Sequence, residues 1–249
     1  MSLFRRCKTL ILFLVTAAFG AAADQPNILW ITSEDNSLDY VGCYGDPFGQ
    51  TPTIDKLAQE GVLYQNAYSN AAVCAPARTT LILGMYAPSL GGEHMRSQAP
   101  LPAQIQIYPK YLSDAGYYCT NNSKKDYNLD QELPGWDDSS NKAHWKNRPA
   151  GKPFFAIFNT TVTHESVLHP AKFTGKFAVP LDQVRVPAYL PDTKTTRERI
   201  SNYYSRINEM DDFVAAKLQE LEDAGLAEDT IVFYYSDHGG IMPRSKRFI

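Results

Sequence analysis

Residues 27–36 read Asn-Ile-Leu-Trp-Ile-Thr-Ser-Glu-Asp-Asn, and this stretch decides the fold class of the 249-residue chain. Its first six residues form a short apolar run, which is typical of a strand buried in a parallel sheet. The polar cluster that follows lies where an open α/β sheet binds its ligands, outside the carboxyl end of a strand. Glu34 and Asp35 are therefore candidate metal ligands, although two adjacent acids are also common in solvated turns.

Two later apolar runs have the same form and are also predicted to be strands. Residues 154–159 (Phe-Phe-Ala-Ile-Phe-Asn) lead to Thr-His-Glu-Ser at 163–166, and residues 230–235 (Thr-Ile-Val-Phe-Tyr-Tyr) lead to Ser-Asp-His-Gly-Gly at 236–240. Because parallel strands present their carboxyl ends at one edge of a sheet, we expect the polar clusters to share one site.

Shorter patterns predict the remaining strands and two of the helices. Residues 62–67 and 117–120 are predicted strands. Residues 52–60 begin with a proline, which is tolerated in the first turn of a helix, and are followed by a glycine. Residues 108–115 are amphipathic and are also predicted to be helical.

The longest helix begins at a capping box, Thr195-x-x-Glu198, and ends at Gly225. Apolar residues recur along it at intervals of three and four, which defines one inner face. This face consists of Tyr203, Ile207, Met210, Val214, Leu218 and Leu221. Such a stripe indicates core packing, so we assign it no chemistry.

Three segments without clear periodicity are predicted to lie on the surface. Residues 135–153 are polar and form a surface excursion, and residues 170–191 form a long, proline-punctuated loop. The glycine-rich residues 89–96 are expected to lie over the site, and His94 within them is interpreted as a surface histidine.

Residues 73–80 read Val-Cys-Ala-Pro-Ala-Arg-Thr-Thr and predict a reactive helix N-terminus. Cys74 directly precedes a proline-started helix that ends at Gly84, so it experiences the positive end of the helix dipole and free backbone N–H groups. Arg78 lies one turn later on the same face. The stretch therefore predicts an anion site around a modifiable sulfur, and the alternative is a small buried cysteine at a loop–helix junction.

Residues 1–23 resemble a secretory signal peptide. Arg5, Arg6 and Lys8 form a basic region, eleven apolar-type residues follow, and Ala-Ala-Ala at 21–23 matches an Ala-x-Ala cleavage site. Eleven residues are too few to span a bilayer, so we expect export to the periplasm or outside the cell without stable membrane insertion.

Charge and cysteine content restrict the possible partners. Removal of the signal peptide would change the formal charge from −3 to −6, and a chain without a basic stripe is a poor nucleic-acid binder. Cys43, Cys74 and Cys119 would remain. An odd number leaves at least one thiol without an internal partner, and Cys43 and Cys119 are either free or paired.

The pattern Cys74-x-Pro76-x-Arg78 followed by Thr-Thr resembles the signature of the sulfatase family. The resemblance implies an alkaline-phosphatase-like α/β fold, with a mixed, mostly parallel sheet sandwiched by helices. It also implies that Cys74 is oxidised to formylglycine by a formylglycine-generating enzyme, and that the hydrate of this residue is the nucleophile. Six separated elements agree with the family in their order along residues 26–249.

The resemblance implies a divalent metal held by Glu34, Asp35, Asp237 and His238. Glu34 stands where the family usually has an aspartate, and His238 occupies a position often filled by asparagine. The metal expected is Ca²⁺, with Mn²⁺ as the alternative because an imidazole ligand suits calcium less well.

The resemblance also implies how the sulfate is held and released. Arg78, Lys124 and Lys246 correspond to cations that bind sulfate oxygens, and His164 corresponds to the acid that protonates the leaving oxygen. Asp126 stands where the family commonly has a histidine, which is a departure from the pattern.

The function implied is hydrolysis of a sulfate ester or sulfamate on a sulfated glycan, with the closest resemblance to heparan N-sulfatase-type members. Residues 24–249 would be the N-terminal part of a sulfatase catalytic domain, C-terminally truncated. Two alternatives stay open: a phosphodiester or phosphonate monoester hydrolase of the same superfamily, and an inactive truncated remnant.

Overall fold

The computed structural model describes residues 25–130, 133–168, 176–242 and 246. The predicted signal peptide lies outside the described residues. The strands are β1 (Asn27–Ser33), β2 (Tyr118–Asn122), β3 (Asp138–Ser139), β4 (Phe154–Thr160) and β5 (Thr230–Ser236). The helices are α1 (Pro52–Glu60), α2 (Cys74–Leu83), α3 (Tyr108–Asp114) and α4 (Lys194–Asp223).

The strands form one sheet in the order β3-β2-β4-β1-β5. Every strand pairing within the described residues is parallel. In register, Ser33 at the end of β1 lies opposite Thr160 of β4 and Ser236 of β5. The polar clusters that follow these three strands therefore meet at one edge, as the sequence predicts.

Helices cover both faces of the sheet. On one face, the apolar side of α4 packs against alternate residues of β1 and β4, and Ile207, Met210 and Val214 are fully buried. On the other face, α3 packs on Phe155 and Ile157 of β4. The predicted inner face of α4 and the α/β architecture are thus confirmed.

Two sequence predictions are wrong. Residues 62–67 form no strand, and Val62 and Tyr64 are 79% and 66% exposed because they have no neighbouring strand to pair with. Residues 135–153 are not a simple surface excursion, because they contribute β3 to the sheet and bury Trp145. The Trp145 ring stacks on Phe154 with ring centroids 5.2 Å apart.

The N-terminus of α4 has a threonine cap at a different position from the predicted one, and the C-terminus of α2 is as predicted. The α4 helix is capped by Thr193 rather than Thr195, since the Thr193 hydroxyl accepts a hydrogen bond from the Thr196 N–H at 3.2 Å. The α2 helix ends at Gly84 as predicted, with a left-handed φ of 65° that favours glycine.

Among the described residues, no helix combines the length and apolar character needed to cross a bilayer.

Candidate active site

The loops after β1, β4 and β5 are joined through the backbone and side chain of Asp35. The Asp35 N–H donates to an Asp237 carboxylate oxygen at 3.2 Å. The Glu165 N–H donates to Asp35 Oδ2 at 2.8 Å. The hydroxyl of Tyr203, on α4, donates to the Asp35 carbonyl oxygen. Asp35 is fully buried and adopts a left-handed φ of 57°, so the loop is held from three directions.

Cys74 is the first residue of α2 and faces this junction. Its Sγ lies 3.4 Å from His238 Nε2, and the residue is only 3% exposed. Burial, and then the nearby Asp237 carboxylate, raise the pKa of the Cys74 thiol to about 11. These effects outweigh the opposing charges of Lys246 and Arg78, so the sulfur is an uncharged thiol at neutral pH and a poor nucleophile in that form.

The three predicted cations each contact one of the predicted carboxylates. Arg78 Nε donates to Asp237 Oδ2 at 3.1 Å. Lys246 Nζ lies 2.8 Å from both carboxylate oxygens of Asp35. Lys124 Nζ donates to Glu34 Oε1. Glu34, Asp35, Asp237, Arg78 and Lys246 are buried.

Burial and neighbouring charges act in opposite directions on the pKa values of the carboxylates and cations in this cluster. Burial acts to raise the pKa of Asp35, but hydrogen bonds from His238 and Lys246 outweigh it, so the pKa lies below the usual value of 3.8. Burial lowers the pKa of Lys124, and the charges of Asp126 and Asp237 partly offset this. The three carboxylates and the three cations described above therefore have no net charge when all six are ionised. A bound divalent cation would give the cluster a net charge of about +2.

His164, on the loop after β4, lies near Cys74. Its Nδ1 accepts a hydrogen bond from the Ser166 N–H at 3.2 Å, so the neutral ring carries its proton on Nε2. His164, Cys74 and Glu34 each offer one ligand-type atom, and these atoms lie within 4.8 Å of one another. Burial lowers the pKa of His164, which disfavours its charged form.

Asp35, Cys74 and His238 each offer one ligand-type atom within 4.8 Å of the others, a grouping that could hold a divalent metal ion. His238 Nδ1 lies 2.9 Å from the Gly239 carbonyl oxygen, so a proton on Nδ1 would donate to that oxygen and leave the Nε2 lone pair for a metal ion. His238 Nε2 lies 3.1 Å from Asp35 Oδ1 and 3.6 Å from Asp237 Oδ1. Glu34 Oε2 is buried and has no hydrogen-bond partner among the described residues. The ammonium of Lys246 stands beside Asp35 as a positive charge that a metal ion would replace.

The remaining sequence predictions near the site have mixed outcomes. His94 is a surface histidine, as expected, since its side chain is 87% exposed. Asp126 Oδ2 lies 3.7 Å from Lys124 Nζ, and Asp126 Oδ1 lies 2.9 Å from Arg96 Nη1. Asp126 therefore adds negative charge beside Lys124, which is predicted to bind sulfate. The cysteines Cys43, Cys74 and Cys119 are all free thiols.

Sequence reasoning missed the polar side chains that support the site. Asn159, at the end of β4, accepts a hydrogen bond from Arg78 Nη1 at 2.7 Å. The Thr163 hydroxyl donates to the Glu34 carbonyl oxygen. Asn159 is the last residue of the predicted β4 run and Thr163 begins the polar cluster after it, and their position at the shared strand edge is the signal that could have identified them.

Comparisons with known proteins agree with this architecture. A family model described as Sulfatase matches residues 26–247. The chain is 39% identical to an ulvan-active sulfatase of Formosa agariphila, over 91% of this chain and 46% of that protein. The chain spans about half the length of the curated relatives it matches.

Solved structures share the fold. One is a protein in complex with its substrate D-glucosamine-2-N,6-O-disulfate, with a TM-score of 0.67 and 18% identity over 86% of this chain and 65% of that one. Another is the phosphonate monoester hydrolase of Agrobacterium radiobacter, with a TM-score of 0.71 and 17% identity over 86% of this chain and 63% of that one. These structural likenesses show the fold alone, and the family model that matches residues 26–247 shows that the chain belongs to the sulfatase family.

Proposed function

We propose that this chain carries the catalytic face of an exported sulfatase that hydrolyses a sulfate ester or sulfamate on a sulfated glycan. One observation carries the proposal: the buried, uncharged Cys74 lies beside His238 and among three cation–carboxylate pairs. A plain thiol in this position is poorly ionised, so the proposal includes conversion of Cys74 to formylglycine by a formylglycine-generating enzyme. The hydrate of formylglycine supplies the nucleophilic oxygen.

Glu34, Asp35, Asp237 and His238 would hold one divalent metal ion. The unpartnered Glu34 Oε2 supports this assignment, as does the contact between His238 Nδ1 and the Gly239 carbonyl oxygen, which would leave the Nε2 lone pair for the ion. We propose Ca²⁺, with Mn²⁺ as the alternative because one ligand is an imidazole. When bound, the ion supplies Lewis-acid polarisation and charge stabilisation at the sulfate oxygens.

The side chains of the chain itself bind the sulfate and move protons. Arg78, Lys124 and Lys246 neutralise sulfate oxygens by charge-assisted hydrogen bonds. Asp237 takes the proton from the attacking hydroxyl at position 74. His164 acts as the general acid in its imidazolium form, in which Nδ1–H would donate to Ser166 Oγ, 3.0 Å away, and Nε2 would give its proton to the leaving oxygen.

The names of similar proteins support a glycan substrate. The most extensive sequence identity reported above is to an ulvan-active sulfatase, and one structural neighbour was solved with a disulfated glucosamine. The disulfated sugar carries both N-linked and O-linked sulfate, so both linkages are included in the proposed substrate class.

A second candidate is hydrolysis of phosphonate monoesters or phosphodiesters, which the likeness to the Agrobacterium phosphonate hydrolase favours. The third is a remnant without catalysis. These three readings make different predictions for one set of measurements.

The test is mass spectrometry across Cys74 after co-expression with a formylglycine-generating enzyme, followed by rates on an aryl sulfate, an aryl phosphonate and sulfated oligosaccharides. A peptide lighter by the thiol-to-aldehyde conversion, with turnover of sulfate esters, supports the proposal. Faster turnover of the phosphonate supports the second candidate. An unmodified thiol in a folded, metal-loaded protein contradicts the mechanism, and absence of cooperative unfolding and of metal binding indicates the remnant.

A further inference from the structure

We propose that Asn159 and Asn121 are positioning residues, forming a hydrogen-bond relay that sets the spacing between the sulfate-binding cations Arg78 and Lys124. This inference rests on the proposed function, because the spacing between Arg78 and Lys124 matters only if both side chains bind sulfate. Neither asparagine contacts the nucleophile or the acid, so neither belongs to the catalytic residues named above.

The relay begins at the guanidinium of Arg78. Arg78 Nη1 donates to Asn159 Oδ1 at 2.7 Å. The Asn159 amide then donates from Nδ2 to Asn121 Oδ1 at 3.0 Å and to the Asn122 carbonyl oxygen at 3.2 Å. The end of β4 is thereby tied to the end of the neighbouring strand β2.

The relay ends on the loop that carries Lys124. Asn121 Nδ2 donates to the Lys124 carbonyl oxygen at 3.3 Å and to Ser139 Oγ on β3 at 3.2 Å. Asn121 is fully buried and Arg78 is 5% exposed. In such a water-poor setting each hydrogen bond is stronger than in water, and an unmade one is costly.

The direction of the relay is fixed chemically at both ends. A guanidinium can only donate, so Asn159 must turn its oxygen towards Arg78. A backbone carbonyl can only accept, so Asn121 must turn its nitrogen towards Lys124. These two requirements leave the Asn159 nitrogen facing the Asn121 oxygen, which is the pairing observed. Neither asparagine can rotate its amide without losing at least two hydrogen bonds.

This fixed direction has a consequence for anion binding. Arg78 is held on one side by Asp237 and on the other by the relay, so its guanidinium has a single orientation. The Lys124 backbone is held at a set distance from that guanidinium. A tetrahedral sulfate needs its cations at fixed separations, and preorganised donors bind it without a reorganisation cost.

The test is a double-mutant cycle on the full chain with inorganic sulfate as the probe. Sulfate affinity is measured by isothermal titration in calcium-containing buffer for the parent, Asn121→Ala, Asn159→Ala and the double variant. Each single variant should weaken sulfate binding about tenfold. Either substitution alone interrupts the same chain of hydrogen bonds. The double variant should therefore bind sulfate less tightly than Asn159→Ala by less than about twofold.

Asn27→Ala is the matched control. Asn27 is also a buried amide at a strand terminus, where Oδ1 accepts from the Phe154 N–H at 3.1 Å and Nδ2 donates to the Asp229 carbonyl oxygen at 3.4 Å. It lies at the opposite end of the sheet, so its loss should lower the melting temperature while changing sulfate affinity less than about twofold. If the alanine variants do not fold, Asn121→Ser and Asn159→Ser carry the same comparison, because serine is too short to span the gap.

The outcomes separate the relay from the proposed function. The relay alone is overturned if the double variant binds sulfate about a hundredfold more weakly than the parent, because the two effects are then independent. It is also overturned if the single variants bind sulfate as tightly as the parent does. A parent chain that binds no sulfate counts against the proposed function and removes the basis of the relay with it. Binding does not require turnover, so the measurement stands whether or not Cys74 has been converted.

Discussion

The ammonium of Lys246 lies 2.8 Å from both carboxylate oxygens of Asp35, although the two residues are 211 positions apart in the chain. Both side chains are almost completely excluded from solvent, at 2% and 0% exposure. Each therefore depends on the other for charge compensation. The pair fastens the segment after β5 to the loop after β1, and the proposed metal site lies at this junction.

Replacing Lys246 by alanine leaves the buried Asp35 carboxylate without its lysine partner. We expect the free energy of unfolding to fall by about 3 kcal/mol, as for other broken buried ion pairs. Urea unfolding measures the change. Lys56→Ala is the control, since the Lys56 side chain is 70% exposed in an i,i+4 pair with Glu60 and should cost less than about 0.5 kcal/mol. A loss below about 1 kcal/mol for Lys246→Ala would contradict the pairing.

Calcium should stabilise the parent chain, because binding to the folded state alone shifts the unfolding equilibrium. At a free concentration of a hundred times the dissociation constant, the gain is about 2.7 kcal/mol. The gain should be larger in Lys246→Ala, in which the ion no longer competes with an ammonium for Asp35. Thermal unfolding with and without Ca²⁺, and after chelation, measures both effects. Equal gains in the two proteins would argue that the ion does not bind at Asp35.

The raised pKa of the Cys74 thiol predicts slow alkylation of the folded protein. Burial and Asp237 raise this pKa from 9.0 to about 11, so at pH 8 the thiolate fraction should be about a hundredfold below that of a thiol with the ordinary value. Iodoacetamide labelling, resolved by peptide mass spectrometry, should show the rate at Cys74 rising up to about pH 11, and urea should remove the protection. Preferential labelling of Cys74 over the partly exposed Cys43 at pH 8 would contradict this.

The raised pKa of the Cys74 thiol also makes the stability of the fold depend on pH. A thiol whose pKa is higher in the folded state favours folding fully below the unfolded value, and this contribution is lost as the pH rises from about 9 through about 11. In Cys74→Ala the decline of stability over this alkaline interval should be shallower than in the parent. Urea unfolding at pH 8, 9 and 10 provides the comparison, and identical slopes would show that the thiol does not contribute.

Asp211 on α4 caps the N-terminus of α1 from outside that helix. Its two carboxylate oxygens accept hydrogen bonds from the N–H groups of Thr53 and Ile54, at 3.0 and 2.9 Å. Asp211→Ala should therefore cost about 2 kcal/mol, at the upper end of N-cap losses because the site is buried. The neighbouring Asp212→Ala is the control, since Asp212 is exposed and its loss should be nearly neutral. Equal effects at both positions would contradict the capping role.

Local sequence patterns were sufficient for the parts of the fold that depend on local chemistry. The apolar runs predicted β1, β4 and β5, and the cysteine–proline stretch predicted α2 with its glycine end. The polar residues directly after the three strands could be placed together because parallel strands share a carboxyl edge.

The remaining features depend on contacts between distant parts of the chain. The apolar pattern at 62–67 lacks a partner strand, and Trp145 is buried by the ring of Phe154 rather than by a periodic element of its own. In the same way, the Asp211 cap and the link between Asn159 and Asn121 join residues that no spacing rule connects. These features become visible only when the elements are assembled.

The central position of β1 sets the order of events during synthesis. Its partners β4 and β5 follow it by well over a hundred and by about two hundred residues, so β1 leaves the ribosome long before either can pair with it. At about 5–20 residues per second, β5 emerges roughly 10–40 seconds later. During this interval Cys74 is part of an unpaired, accessible segment, whereas in the finished fold it is 3% exposed. The oxidation of Cys74 proposed above would therefore have to take place while the chain is still incomplete or unfolded, before folding buries the sulfur.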